Sequence, residues 1–382
     1  MPNPLSIITP ALELLGKNVN ILPATGNAVE DLQHPDQDEI DDVLVNREMG
    51  KEITAFAETP EPSTNNIYKA TPPLPRTEHH LFRFFIDGSL RTYFLATGVE
   101  GTRTFPIELA QIGASVIERD EKGRLSVLKG GHKILLLVPK GARGISDTVW
   151  EQLKRLPTPD GLLQIIDFDL PDVISGDAKK DPRDKAGGKA RFRMHVMETE
   201  LIQSTDSLRD KDHWLILDGA VKLGDFISAP YLIGVAKSFS KEPPFYFGEK
   251  KSKNGDVTTI LAGLPYAHRT AAFKAYDGQV AFWYVRMWEQ KDVDYPLMGV
   301  VKVELPCPDR KPVPAGLVDL LSRALVAERS VSPYGLDRRW HCHIYPIFIA
   351  EQTIKNRFFS QQVLMGAIRW PKPVAPMMQR RL

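Results

Sequence analysis

Two short acidic motifs, far apart in the chain, each combine an apolar run with an aspartate and a glycine. The first spans residues 84–89 and contains Asp87, and the second spans residues 214–219 and contains Asp218. A buried strand that ends in Asp-Gly delivers a carboxylate at the sheet edge and lets the backbone turn sharply. Hard divalent cations bind several carboxylates, so the two motifs predict metal-ligating oxygens brought together by folding. Ordinary strand-to-turn pairs are the alternative for each motif alone.

A third acidic position lies on a predicted helix between these motifs. Residues 191–208 contain neither glycine nor proline and space their apolar side chains helically, so we expect a helix that carries Glu198 and Glu200. Residues two apart on a helix face about 200° apart, so only one of them can join the two aspartates. We prefer Glu198, which lies on the same stripe as Leu201 and Ile202, and expect Glu200 to be a solvated surface charge.

The elements around these residues predict an α/β fold. Alternating apolar residues favour an antiparallel meander of strands over 81–86, 91–95 and 110–118, extended by 133–138. Later apolar runs predict strands over 231–236, 280–287 and 298–305. Amphipathic spacing predicts helices over 316–328 and about 349–366. We expect these strands to form a mixed sheet flanked by the helices.

The order of the acidic residues, with Asp on a first strand, Glu on the following helix and Asp ending the next strand, resembles that of ribonuclease H-like nucleases. The chain also resembles the NurA family of DNA repair nucleases, over roughly residues 81–366. The matching pieces, in order, are Phe85-Ile86-Asp87-Gly88-Ser89 with Arg91, Met197-Glu198-Thr199-Glu200, Leu217-Asp218-Gly219, Ile233-Gly234-Val235-Ala236-Lys237, Phe282-Trp283-Tyr284-Val285-Arg286 and Tyr345-Pro346-Ile347-Phe348-Ile349-Ala350-Glu351.

The resemblance implies a ribonuclease H-like mixed sheet with an N-terminal extension and insertions. It also implies a DNA nuclease that uses Mn²⁺ or Mg²⁺, two ions held by Asp87, Glu198 and Asp218, with Glu351 as a fourth ligand. His341 and His343 are alternatives to Glu351, and polar surface is the simpler reading of both histidines. The partners that the resemblance implies are DNA, a HerA-type hexameric ATPase and a second copy of the chain, in end processing, repair or anti-phage defence.

Four further residues enter the predicted site. Lys237 at a strand end is expected to neutralise substrate phosphate or to position water, with a solvated lysine as the alternative. Tyr284 and Arg286 share one strand face and suggest a wall for phosphate and base, whereas core packing is the alternative for Tyr284. Arg91 is expected to bind substrate.

We divide the chain into an N-terminal extension (1–80), a nuclease domain (81–370) with a loop insertion at about 176–190, and a tail (371–382). Within the extension, residues 39–56 suit an amphipathic helix, and the Pro-, Thr- and Asn-rich stretch 58–75 suits an extended connector. The insertion, rich in Asp, Lys, Arg and Gly, is expected to be a surface loop.

Composition excludes several classes of protein. The 382 residues are 42% apolar and 25% charged, as in an ordinary globular protein, and 49 Lys plus Arg nearly balance 48 Asp plus Glu. The two cysteines, Cys307 and Cys342, support neither a disulfide framework nor a zinc site, so we expect a reducing, cytoplasmic environment. No apolar stretch is long enough for a membrane span. No P-loop motif occurs, so any motor is another protein.

A second function class remains open from the residues alone. The chain would then be a non-catalytic ribonuclease H-like scaffold or regulatory subunit of a translocase complex, with its carboxylates serving only as turn residues. Assembling like charges without a cation to hold is costly, which argues for the nuclease. An RNA-directed nuclease would share the same chemistry.

Overall fold

The computed structural model describes residues 5, 8–24, 55–63, 66–75, 80–142, 144–156, 161–170, 182–221, 226–239, 245–246, 253–290, 295–331 and 339–371. The α-helices of these residues are α1 (Ile8–Gly16), α2 (Asp147–Lys154), α3 (Pro182–Gln203), α4 (Val257–Ala262), α5 (Ala315–Glu328), α6 (Tyr345–Lys355) and α7 (Gln361–Gly366). The strands are β1 (Asn20–Pro23), β2 (Glu58–Thr59), β3 (Tyr68–Ala70), β4 (Phe82–Glu100), β5 (Arg103–Arg119), β6 (Leu125–Lys140), β7 (Leu163–Asp169), β8 (Trp214–Asp218), β9 (Leu232–Ala236), β10 (Phe245–Tyr246), β11 (Lys253–Gly255), β12 (His268–Thr270), β13 (Phe273–Ala275), β14 (Val280–Arg286), β15 (Val300–Pro306) and β16 (Val313–Pro314).

One mixed sheet contains 12 of the strands that the structure describes, in the order β3-β12-β14-β15-β9-β8-β4-β5-β6-β7, with β1 beside β4 and β13 beside β14. The strands β4, β8 and β9 run parallel to one another, and β4, β5 and β6 form an antiparallel meander. Helices cover both faces of the sheet. The predicted α/β class, with a large mixed sheet flanked by helices, is therefore confirmed.

Strand β4 is the element that most clearly departs from expectation. The prediction of separate strands over 81–86 and 91–95 is wrong, because one strand of 19 residues runs from Phe82 to Glu100. Its pairing with β5 continues without interruption from Asp87 beside Ser115 to Arg91 beside Gln111. The glycine that follows Asp87 therefore makes no turn. Strand β8 ends at Asp218, whereas the neighbouring strand β4 continues for 13 residues beyond Asp87.

The two faces of β4 belong to different layers, because successive side chains of a strand alternate between faces. Phe84 and Ile86 pack in a core cluster with Leu217 and with Ile202 of α3. Phe85 packs in another cluster, which includes Ile216, Ile233 and residues of α5 and α6. We call these the α3 face and the α6 face. Asp87 alternates with Ile86 and so belongs to the α6 face.

Helix α3 is longer at its start than its sequence pattern indicates. The predicted loop over 176–190 is helical from Pro182 onward, and the helix ends at Gln203 rather than at Leu208. Proline suits a first helical position, since its missing N–H would have no intrahelical partner there. The remainder of the predicted loop, 176–181, lies outside the described residues.

The predicted final helix over 349–366 is two helices, α6 and α7. The Ser360 side chain caps α7 by accepting a hydrogen bond from the Val363 amide at 3.3 Å. The Phe359 amide donates to Gln111 Oε1 on β5 at 2.8 Å, which holds the segment between α6 and α7 against the sheet.

The predicted strands and helix at β9, β14, β15 and α5 lie within one or two residues of their expected bounds.

Described parts of residues 1–80 contribute to the same sheet as the rest of the chain. Strand β1 pairs with β4, and β3 pairs with β12. Helix α1 packs in a core cluster with β5 and β6. The predicted helix over 39–56 lies outside the described residues except for its last two positions, and the division of the chain into domains stays a prediction. Among the described residues, no helix has both the length and the apolar character needed to cross a membrane.

Candidate active site

Asp87 and Asp218 lie on neighbouring parallel strands at the same level of the sheet. Ile86 of β4 stands beside Leu217 of β8, and the next residue along each strand is the aspartate. Ile216 shares the α6 face with Phe85, so by alternation both aspartates project from that face. The ordered apolar pairs before them therefore fix where the two carboxylates meet.

Lys237 follows β9 on the other side of β8. Its Nζ lies 2.9 Å from Asp218 Oδ2, and the two side chains are only 15% and 21% exposed. Burial alone would lower the pKa of Lys237, but the Asp218 and Asp87 carboxylates outweigh it and raise that pKa. The lysine is therefore a positive charge held against Asp218, and it also acts on Asp87.

Glu351 reaches the site from α6, which packs on β4 and β5. The Ser115 hydroxyl, on the strand position beside Asp87, donates to the Ala350 carbonyl at 2.9 Å and sets the helix against the sheet. Glu351 itself pairs with Lys355 at 2.7 Å. The acidic residue that the family resemblance implies on the last helix thus lies near Asp87.

Glu198 reaches β4 from the α3 face at Gly88. A Cβ atom on Gly88 would lie 2.6 Å from Glu198 Oε1 and 3.0 Å from the Met194 sulfur. The glycine therefore makes room for the Glu198 and Met194 side chains of the helix rather than for a turn. The Glu198 side chain is buried, with Oε2 3.4 Å from His195 Nδ1, whereas Glu200 is exposed. Of the two candidate glutamates, Glu198 is the one that approaches Asp87.

We call Asp87, Glu198, Asp218 and Glu351 the carboxylate cluster. Burial raises the pKa of Asp87 well above its ordinary value, and the negative charges of Asp218, Glu351 and Glu198 raise it further. The nearby Lys237 ammonium opposes this shift only in part. Asp87 is thus a carboxylate that the surrounding charges make costly to ionise.

The turn after Asp218 is held by a buried ion pair that our sequence analysis missed. Glu304 Oε2 accepts a hydrogen bond from the Val221 amide at 2.8 Å, and Glu304 Oε1 lies 2.7 Å from Lys302 Nζ. Gly234 stands beside Glu304, and a Cβ there would lie 2.7 Å from the Gly219 carbonyl oxygen. The chain after Asp218 can therefore cross β9 only where that strand has a glycine. The apolar patterns of β9 and β15 do not show this contact.

Arg339 is another residue of the site that sequence reasoning missed. Its Nη1 donates to the Ser238 hydroxyl at 2.7 Å, directly after Lys237. The positive charge of Arg339 lowers the pKa of Lys237 in part, so the guanidinium lies near the Lys237 ammonium. No motif around residue 339 could have identified it, because its position depends on the fold.

Two residues of the predicted site, Tyr284 as a catalytic residue and Arg286 as a substrate-binding residue, do not join it. Arg286 is 1% exposed, and its guanidinium donates to four backbone carbonyls, those of Leu261, Leu264, Pro296 and Met298. Tyr284 is 3% exposed and packs with Phe239 and Phe282. The predicted roles of both residues in the site are wrong, and core packing, the alternative for Tyr284, is what the structure has. The strand face that the two residues share points away from the α6 face and is covered by other core residues.

Arg91 and the two histidines take intermediate positions. Arg91 shares the α6 face with Asp87, about 13 Å further along β4, with its guanidinium 6.0 Å from the centre of the Phe358 ring. The segment with the histidines is not extended, since Trp340–Cys342 form a 3₁₀ turn. His341 is buried, and its Nε2 lies 2.6 Å from the Tyr295 hydroxyl. Of Glu351, His341 and His343, only Glu351 is among the groups whose charges act on the pKa of Asp87.

The donor set suits a hard divalent ion, since four carboxylates offer the oxygen ligands that Mg²⁺ and Mn²⁺ prefer. The arrangement is not that of a formed metal centre, because no three acidic, histidine or cysteine side chains of the described residues are placed to hold one ion. The Lys237 ammonium already pairs with Asp218. Binding an ion would thus require this ammonium to move and the carboxylates to rotate.

Comparisons with known proteins do not add to this geometry. No protein-family model matches the chain, and no curated protein matches it significantly.

Proposed function

We propose that this protein is a divalent-metal-dependent nuclease that hydrolyses phosphodiester bonds of DNA. The observation that carries the proposal is the buried Asp87, which lies beside Asp218 and Lys237 and on which the negative charges of Asp218, Glu351 and Glu198 all act. Four like charges are costly to assemble, and a site that binds cations is the simplest reason for a fold to retain them.

The sheet supports the finer proposal of a ribonuclease H-like fold. Its central strands run in the order β6-β5-β4-β8-β9, with an antiparallel meander, then the helix α3, then two strands parallel to β4. The acidic residues fall on the first strand of the meander, on the connecting helix and at the end of the next strand. The same order of acidic residues is the basis of the resemblance to ribonuclease H-like nucleases in the sequence.

The roles of the chain's own residues follow from their positions. Asp87, Asp218, Glu198 and Glu351 would hold one or two ions, and a bound divalent ion supplies an activated water and stabilises the negative charge of the leaving oxygen. Once displaced from Asp218, the Lys237 ammonium is placed to bind a phosphate oxygen, with the Arg339 guanidinium beside it. Without a cation, the carboxylates repel the phosphate.

The test measures metal binding and cleavage separately. Purified protein is titrated with Mn²⁺ by calorimetry and then incubated with DNA and with RNA of the same sequence. We expect Asp87→Asn and Asp218→Asn to weaken Mn²⁺ binding and to reduce cleavage by about a hundredfold or more, the equivalent of several kcal/mol. Glu200→Gln, which changes an exposed glutamate of the same helix, is the matched control and should retain wild-type behaviour.

A non-catalytic scaffold is the second candidate, because Lys237 already supplies a positive charge at Asp218. In that case the wild-type protein would neither bind Mn²⁺ nor cut either substrate, also in the presence of its partner. The HerA-type hexameric ATPase and the homodimer belong to the same proposal and rest on the resemblance of the motifs. The proposed cytoplasmic location rests on the cysteine content.

A further inference from the structure

The N-terminal half of α3 carries an excess of positive charge that the carboxylate cluster does not use. Residues 182–193 contain five lysines and arginines and one aspartate. Within the described residues, Lys189, Arg191 and Arg193 have no ion pair with a carboxylate. A polyanion is the partner that such a surface suits.

An aromatic side chain stands in the middle of this positive surface. Phe192 is 55% exposed, although a phenylalanine is ordinarily covered in a folded protein. Its neighbours on the helix, Arg191 and Arg193, flank it on both sides. An exposed ring between two guanidinium groups offers a base a stacking surface next to two phosphate-binding groups.

Arg193 is partly buried, with its side chain rising from the edge of the packed face of the helix. It falls on the stripe of α3 that also contains the buried residues Ala186, Ala190 and Met197. Its Nε is buried and has no hydrogen-bond partner among the described residues. Lys133 lies on the face of β6 that packs against this stripe, since it alternates in step with Leu135. Positive charge therefore extends from the helix onto the adjoining strand.

The same helix connects this surface to the carboxylate cluster. Arg191 precedes Glu198 by seven residues, which is about two helical turns and about 10 Å, and lies on the same side of the helix. A nucleic-acid strand bound along α3 would thus run toward the cluster.

We infer that Lys133, Lys189, Arg191, Phe192 and Arg193 bind a single nucleic-acid strand, with phosphates on the basic groups and a base on Phe192. This inference rests on the proposed function and adds a preference for unpaired strands. A single strand is favoured over a duplex because bases inside a duplex already stack on each other and leave no face for an aromatic ring.

Binding is measured by fluorescence anisotropy with a labelled 20-nucleotide oligothymidylate and with a blunt duplex of equal length. EDTA is present throughout, so that the result does not depend on cleavage. We expect Phe192→Ala to weaken binding of the single strand roughly 5- to 100-fold without changing its salt dependence. The double variant Lys189→Gln/Arg191→Gln should lower the slope of log affinity against log salt by about 1.4, because each phosphate contact contributes about 0.7.

The control is Lys122→Gln/Lys311→Gln, which removes the same charge from exposed positions elsewhere and should leave the slope unchanged. Thermal melting of each variant verifies that it is folded. The inference is overturned if both variants bind the oligothymidylate as the wild type does, or if Phe192→Ala weakens duplex binding equally. It is also overturned if Phe192→Ala changes the oligomeric state in gel filtration, which would make this face a contact between copies. Strand binding without metal-dependent cleavage would instead refute the nuclease proposal alone.

Discussion

Two regions of this protein bury several charged groups, and they do so in opposite ways. Around Arg269 the guanidinium donates to both oxygens of Glu58, at 3.0 and 2.7 Å, and to Asp319 at 2.8 Å. Lys69 supplies a second positive charge to Asp319. The Arg269 cluster, composed of these four residues, therefore balances its charges within hydrogen-bonding distance.

The carboxylate cluster lacks this balance. Asp218 pairs with Lys237 and Glu351 with Lys355, while Glu198 has the imidazole of His195. Asp87, at the centre, has no such partner among the described residues, and its carboxylate accepts a hydrogen bond only from the Gly88 amide at 2.8 Å. The first region therefore stabilises the fold through balanced charges, and the unbalanced charges of the second are what we expect of the cation site that we propose.

The Arg269 cluster also explains why the N-terminal segment belongs to the main sheet. Glu58 lies on β2, and its Oε1 accepts a further hydrogen bond from the Ala272 amide at 2.9 Å. Through Arg269 of β12 and Asp319 of α5, three separate parts of the chain are joined by charge. The segment 58–75, which the sequence suggested to be a simple extended connector, thus begins with a buried carboxylate that fixes it to β12.

The largest effect that we expect on stability comes from breaking the balanced region. Arg269→Met removes one partner and leaves Glu58 as a buried carboxylate without its cation, so the free energy of unfolding should fall by about 3–5 kcal/mol. Urea denaturation of the wild type and the variant measures this difference in unfolding free energy. The control is Arg310→Met, because Arg310 pairs with Asp277 at the surface, and its loss should cost less than about 1 kcal/mol. Equal losses in both variants would refute the contrast between the two regions.

Much of the sheet could be predicted from the sequence, because its strands are long apolar or alternating runs. The strands β9, β14 and β15 and the helix α5 lie almost where their patterns indicate. The extent of β4 could not be predicted, since the Asp87-Gly88 pair has the composition of a turn. Only the position of Glu198 above Gly88 shows that this glycine serves helix packing.

The candidate site could be predicted as a set of residue types but not as an arrangement. Asp218 follows from a strand end and Glu198 from a helical stripe, whereas Lys237 and Glu351 follow from the resemblance. Asp87 belongs to the site although the strand end predicted there does not exist. The error at Arg286 has a physical cause, because alternation assigns residues to a face without saying whether the face is open. Four backbone carbonyls, from chain segments on either side of β14, close that face.

A second variant tests whether the carboxylate cluster depends on close packing at Gly88. In Gly88→Ala the added methyl group would collide with Glu198 Oε1, so the glutamate must move away from Asp87. We expect the loss of metal-dependent cleavage and a decrease in unfolding free energy of about 1–3 kcal/mol, as for an overpacked core. Gly316→Ala is the control, because a Cβ on Gly316 meets no atom within 4 Å. Unchanged cleavage in Gly88→Ala would show that Glu198 has no part in the reaction.

The smallest effect concerns Asp87 itself and has the opposite sign to that of Arg269. Ionisation of Asp87 is costly because the carboxyl group is buried and lies beside other carboxylates, so Asp87→Asn should raise the unfolding free energy of the metal-free protein by about 1–2 kcal/mol while it abolishes cleavage. Because the folded-state pKa of Asp87 lies above its ordinary value of 3.8, the folded protein binds more protons than the unfolded chain between those two values. The wild type therefore loses stability as the pH rises through this window, whereas the asparagine variant does not.

The stabilisation of the Asp87→Asn variant relative to the wild type should be largest above the raised pKa and should disappear near pH 3.8. Urea denaturation in EDTA at several pH values measures this difference. A stabilisation that does not change with pH would mean that the asparagine acts through packing and that the charges around Asp87 are not the cause.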